Sequence, residues 1–132
     1  MNNNGTPTGF ANKTSFYKIQ GNTTLIRAQK FTAANNQVTY IGKSPISVKV
    51  TAVIGGKSPE KDADYTIVLA KNGFGIPLPA ASIGSMVDKQ GFQIMLETDV
   101  ELVTGDFLEV GIRNNFSTNS LTVSDLQFRV SE

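Results

Sequence analysis

"GFQIMLETDVELVTGDFLEVGIRNN", residues 91–115, is the stretch on which the fold turns. Apolar side chains fall at alternate positions in its first half (Phe92, Ile94, Leu96, then Val100 and Leu102). The pattern returns in its second half with Leu108, Val110 and Ile112. A period of two marks a strand with one buried face, whereas a helix would scatter these side chains around its axis. Gly105-Asp106 separates the two runs and reads as a hairpin turn in which Asp106 caps backbone groups. One side chain is out of keeping: Phe107 shares the outward phase of Glu109 and Arg113.

The same alternation extends in both directions. "PISVKVTAVIG" (45–55) puts Ile46, Val48, Val50, Ala52 and Ile54 on one face, and "YTIVLAKNG" (65–73) aligns Tyr65, Ile67 and Leu69 before an Asn72-Gly73 turn. Short strands are expected in "TSFYKIQ" (14–20) and "TTLIRAQKF" (23–31) around Gly21-Asn22, and in "VTYIG" (38–42) after Asn35-Asn36. "FGIPLPAASIGSM" (74–86) holds two prolines and fits only an edge strand or an irregular crossover. In "SLTVSDLQFRV" (120–130) the apolar phase slips at Ser124-Asp125, which predicts a bulge or bend. Turn signals recur about every ten residues with no helical spacing between them, the pattern of an all-β protein. Roughly eight main strands in two antiparallel sheets is the count of a jelly-roll sandwich.

Composition limits the function classes. A chain of 132 residues is one domain, expected as a polar, flexible arm over residues 1–13 followed by a jelly-roll domain over 14–132. Residues 1–57 carry seven basic side chains and no acid, while residues 60–132 hold all eleven acids. Either the two halves pair strand against strand, or the basic half docks on an acidic partner. The net charge of +1 gives no global pull toward nucleic acid or membrane, and the first residues lack the pattern of a secretory signal.

Chemistry narrows further by elimination. The sequence has no Cys and no His, which removes thiolate catalysis and the usual base for a serine nucleophile. No catalytic residue and no cofactor site is assigned, and the chain is expected not to be an enzyme. Glu97, Asp99 and Glu101 share one strand face about 6.7 Å apart, better suited to a solvated or cross-strand-paired row than to a hydrolytic pair in a cleft. Gly55-Gly56-Lys57-Ser58 lacks the earlier glycine and the helix of a phosphate loop and reads as a hairpin loop. No metal site is assigned; Glu60, Asp62 and Asp64 in "PEKDADY" are the weak candidates, as oxygen ligands for calcium. What remains is surface. Phe107, Met95, Val53 and Val68 are apolar on outward strand positions, and if clustered they form a patch of the kind that marks a subunit interface.

The landmarks "VTYIG", "ISVKVTAVIGG", "YTIVLAKNG", "VELVTGDFLEVGIRNN" and "LTVSDLQFRV", in this order, resemble the tumour-necrosis-factor-like jelly roll. The globular head of the first complement component and similar domains of phage and viral particles look most alike, and the resemblance covers residues 15–131. It implies a homotrimer, with Phe107, Met95, Val53 and Val68 as interface candidates. With no collagen-like repeat and no export signal, it further implies a virion protein made in the host cytoplasm: a capsid decoration or cement trimer bound to the major capsid protein. Phe10, Lys13 and Lys18 are then the candidates for gripping the capsid. The alternative is the receptor-binding tip of a tail fibre or spike that recognises a host surface glycan or protein. Neither nucleic acid nor a membrane is an expected partner.

Overall fold

A computed structural model describes residues 4–21, 30–74 and 77–131, so most of the strand expected over 23–31 lies outside the described residues. The described residues form nine strands and no helix. The large sheet is six-stranded, running β2 (Phe31–Ala34), β3 (Gln37–Tyr40), β8 (Phe107–Asn114), β5 (Ala63–Lys71) and β6 (Pro77–Met86), with β1 (Tyr17–Lys18) also paired to β8. The small sheet has the order β7 (Gly91–Leu102), β4 (Ile46–Lys57) and β9 (Val123–Ser131). Every pairing is antiparallel. From β3 onward only β5–β6 stays within one sheet; every other connection crosses, giving a jelly-roll-like, all-β sandwich.

The core lies between the two inner faces. Val48, Val50, Ala52 and Ile54 of β4 are buried with Leu96 and Leu102 of β7 and with Leu126 and Phe128 of β9. Tyr65, Ile67 and Leu69 of β5 and Leu108, Val110 and Ile112 of β8 close the layer from the other side. These are the inward sets that the alternation predicts. The slip at Ser124-Asp125 is also present: Gly55 faces Asp125 while Gly56 faces Val123, so Ser124 is the extra residue of a bulge. The β2–β3 turn at Asn35-Asn36 has both residues left-handed (φ 51° and 57°), the two-residue hairpin geometry that suits a right-handed twist. The proline-bearing strand β6 sits on the edge, where a missing N–H costs no ladder bond.

Two turns differ from their sequence reading. Gly105-Asp106 is not a hairpin: β7 belongs to the small sheet and β8 to the large one, so Val103–Asp106 is a corner between layers. Asp106 N donates to Val103 O at 3.0 Å, with Gly105 at φ 93°, and the Thr104 hydroxyl donates to Gly42 O. A turn motif dictates reversal of the chain and leaves open which sheet the next strand joins. Likewise Gly55, Gly56 and Lys57 continue β4 rather than forming a hairpin loop.

The segment expected as a flexible arm is tied into the sandwich over its described residues. Asn4 N donates to Ser124 O, Thr8 pairs with Leu121 as a β-bridge, and the Thr8 hydroxyl accepts from Gln20 N at 3.0 Å. Phe10 is only 6% exposed, edge-on to Tyr17 at 5.8 Å between ring centroids and 6.4 Å from Tyr65. A lone aromatic among Asn, Thr and Gly thus anchors a stretch that composition marks as polar. The charge halves meet in the way that strand pairing requires: Lys49 of β4 reaches Glu97 of β7 at 3.1 Å, so Glu97 belongs to a paired, solvated row.

Phe10→Ala is expected to destabilise the fold by about 3 kcal/mol, as for other buried aromatic truncations. Denaturant unfolding measures it; a midpoint equal to the parent protein's would show the segment to be dispensable.

Candidate ligand-binding face

The outer face of the large sheet is built in rows across β1, β8, β5 and β6. Lys18, Gly111, Val68 and Ala80 share one row, and Arg113, Thr66 and Ser82 the next. Phe107 and Glu109 extend the outward side of β8 toward its start, as the sequence phase predicts.

Two rings cover the middle of this face. Phe74 leaves the β5–β6 turn and folds back over Gly111, so close that a Cβ on residue 111 would lie 2.4 Å from its ring. A glycine is required there because the ring occupies the side-chain space. Phe16 lies beside it with centroids 6.3 Å apart, and the Arg113 guanidinium carbon sits 4.9 Å from the Phe16 centroid, in cation–π range. On the same face Val68, the cross-strand partner of Gly111, and Ala70 have no exposure at all, yet they are not part of the main core.

A polar array adjoins the stack. Arg113 Nε donates to Asn115 Oδ1 at 2.6 Å, and Asn115 Nδ2 donates both to Asp64 Oδ1 and to Thr66 Oγ1, each at 2.9 Å. The hydroxyls of Thr66 and Ser82 are 3.3 Å apart, and Asn115 N donates to Asp64 O. One guanidinium, one amide, one carboxylate and two hydroxyls are thereby fixed in place before any ligand arrives. Glu109, 7% exposed, lies in the same face; burial pushes its carboxyl pKa above the ordinary value, against the opposing pull of the Lys18 charge.

The residues singled out in the sequence fall as follows. Phe107 and Val68 lie on the outer face of the large sheet, Met95 and Val53 on that of the small sheet, where the two are cross-strand partners. The four are therefore split between opposite sides of the sandwich. Val68 is covered by its own chain, and among the four only Met95, at 63%, is strongly exposed. Of the proposed capsid contacts, Phe10 is core, while Lys13 is exposed and Lys18 half-buried beside β8. Glu60, Asp62 and Asp64 do not converge: Glu60 accepts from Ser117 and Asn119, and Asp64 from Asn115. Among the described residues no group of three or more His, Cys, Asp or Glu is placed to hold a metal ion. Sequence reasoning missed Phe16, Phe74 and Arg113 as a unit. The signal lay in Gly111, a glycine inside a strand, which marks close approach of another group.

No family model matches this chain, and neither does any curated protein. Solved structures that match include "CBM35 from Cellvibrio japonicus Abf62", at 16% identity and a TM-score of 0.37 over 96% of this chain and 97% of that one. Another is "Xyl-CBM35 in complex with glucuronic acid containing disaccharide", also at 16% and 0.37, over 94% of this chain and 91% of that one. Both likenesses are distant. The segment that was to grip a capsid is part of the fold, with Phe10 in the core and Thr8 bridged to Leu121. The capsid-decoration reading is withdrawn on that placement.

Two measurements check the face. Gly111→Ala is expected to expel the Phe74 ring at a cost of about 1–3 kcal/mol, as overpacking does, with new exchange at the amides around Val68. Glu109, with its folded pKa raised, contributes stability below its unfolded pKa that is lost as pH rises through the folded value. Glu109→Gln should therefore unfold later than the parent in denaturant at pH 7, with the difference closing as pH falls to the ordinary carboxylate range.

Proposed function

We propose that this chain is a non-catalytic glycan-binding module whose ligand lies on the outer face of the large sheet. The observation that carries the reading is the Arg113–Phe16–Phe74 stack over Gly111, contiguous with the Asp64–Thr66–Asn115 array. A pyranose presents C–H groups on its ring faces and hydroxyls around its rim, and each hydroxyl both donates and accepts. Rings supply packing for the first, and fixed amide, carboxylate and guanidinium groups supply pairing for the second. Prior hydrogen bonding within the array removes rotamer entropy that binding would otherwise cost.

Binding without turnover fits the side chains available. The sequence offers no His or Cys, Glu97 is committed to Lys49 and Thr51, and Asp106 is held within a turn. The proposal shares glycan recognition with the receptor-binding-tip alternative of the sequence, without its tail fibre or spike.

Retention on immobilised polysaccharides and titration calorimetry test the proposal. Phe74→Ala and Arg113→Ala should each weaken binding by at least about tenfold, equivalent to ~1.4 kcal/mol, while leaving the fold intact. Parent-like affinity in both variants would refute this site, and absence of retention on every glycan would refute the function.

A further inference from the structure

Asp106 and Lys71 serve the fold, and they also face open space. At the β7–β8 corner, where the two sheets part, a cleft of about 450 Å³ is lined by Pro45, Ile46, Val103, Lys71 and Asp106 among others. That volume falls in the range of small-molecule sites, roughly 300–1,000 Å³. Pro45, Ile46 and Val103 give it apolar walls, and Lys71 and Asp106 a polar edge.

The hydrogen-bonding capacity left over at that edge defines the ligand. Asp106 accepts from Val103 N at 2.9 Å and from Asn72 Nδ2 at 3.0 Å, and its Oδ2 lies 3.5 Å from Lys71 Nζ. A carboxylate has about four acceptor sites, so one remains. Lys71 Nζ donates to Glu101 O at 3.0 Å and faces Asp106, which leaves one of its three protons. The result is one open acceptor beside one open donor, with the two charges cancelling each other. An ion would have to split the pair to bind. A neutral vicinal diol does not: one hydroxyl donates to the carboxylate while its neighbour accepts from the ammonium. Its ring C–H groups then meet the apolar walls. The Val103 amide, first among several groups, holds the Asp106 carboxyl below its ordinary pKa, so the acceptor persists through mildly acid conditions.

We infer that this cleft is a second saccharide subsite, holding a neutral pyranose through a vicinal diol at Lys71 and Asp106. The inference rests on the glycan-binding reading and makes the module bivalent. Lys71 lines the cleft and Phe74, three residues on, covers the sheet face, so one turn serves both subsites.

Amide chemical shifts of the intact chain, titrated with methyl β-glucoside, methyl β-galactoside and methyl α-mannoside, read the two subsites separately. At least one glycoside should give saturable shifts at Lys71, Val103 and Asp106, distinct in midpoint from those at Gly111 and Arg113. Ser47 also lines the cleft, and Ser47→Tyr, which places a ring there, should weaken the cleft response at least tenfold and spare the sheet-face response; Lys71→Met should do the same. Phe74→Ala should spare the cleft response and weaken the other. Shifts at the sheet face with none in the cleft would overturn this inference alone, as would cleft shifts undiminished in both cleft variants. Silence at both subsites with all three glycosides would overturn it together with the glycan-binding reading.

Discussion

The corner at Val103–Asp106 depends on a single carboxylate. Asp106 holds Val103 N on its own turn, and its Oδ1 accepts from Asn72 across the gap to the β5–β6 turn. Asn72 returns the contact twice, its side chain accepting from Phe107 N at 3.0 Å and its own N–H donating to Phe107 O. Lys71, the next residue back, reaches over to the end of β7 at Glu101 O. The Asn72 bonds extend the β5–β8 ladder within the large sheet, and the Lys71 bond to Glu101 O ties that sheet to the small one. Asn72 is left-handed, at φ 56°, a conformation that Asn tolerates better than most residues and that aims the following chain back over the sheet.

That return of the chain gives the large sheet a second buried layer. Phe74 covers β8 at Gly111, and on the same face Val68, the cross-strand partner of Gly111, and Ala70 are as inaccessible as the residues of the main core. The cover consists of two rings side by side with a guanidinium over one of them, flat and amphipathic groups on the outside of the sheet. A face of this kind differs from the outer side of the small sheet, where Lys49, Glu97 and Thr51 stand in a hydrated row.

Strand faces were legible in the sequence because period-two alternation is a local property. The inward sets of β4, β5, β7 and β8, the Asn35-Asn36 hairpin, the bulge at Ser124 and the edge position of β6 all follow from neighbours within a few residues. What escaped is non-local. Alternation assigns Val68 to the outer face but says nothing of a ring arriving from a turn. A Gly-Asp step signals a bend without saying whether the next strand joins the same layer. Phe10 stands alone among polar residues, with no period to report its burial, and it is drawn in by long-range bonds of its neighbours, the Thr8–Leu121 bridge and Asn4 to Ser124 O among them. The candidate site was least legible of all, since Phe16, Phe74 and Arg113 come from three separate segments and meet only above Gly111.

The Thr8–Leu121 bridge also governs how the molecule is made. A pairing between positions this far apart in the chain closes a loop that contains almost every other strand, and such closures are slow. β4, the central strand of the small sheet, likewise waits for β7 and β9, both synthesised after it. The small sheet is therefore complete only once β9 is available to pair with β4. Until then the alternating strands carry unpaired edges into a crowded solution. The many Asn, Thr and Lys side chains between the apolar positions keep those edges soluble during the wait.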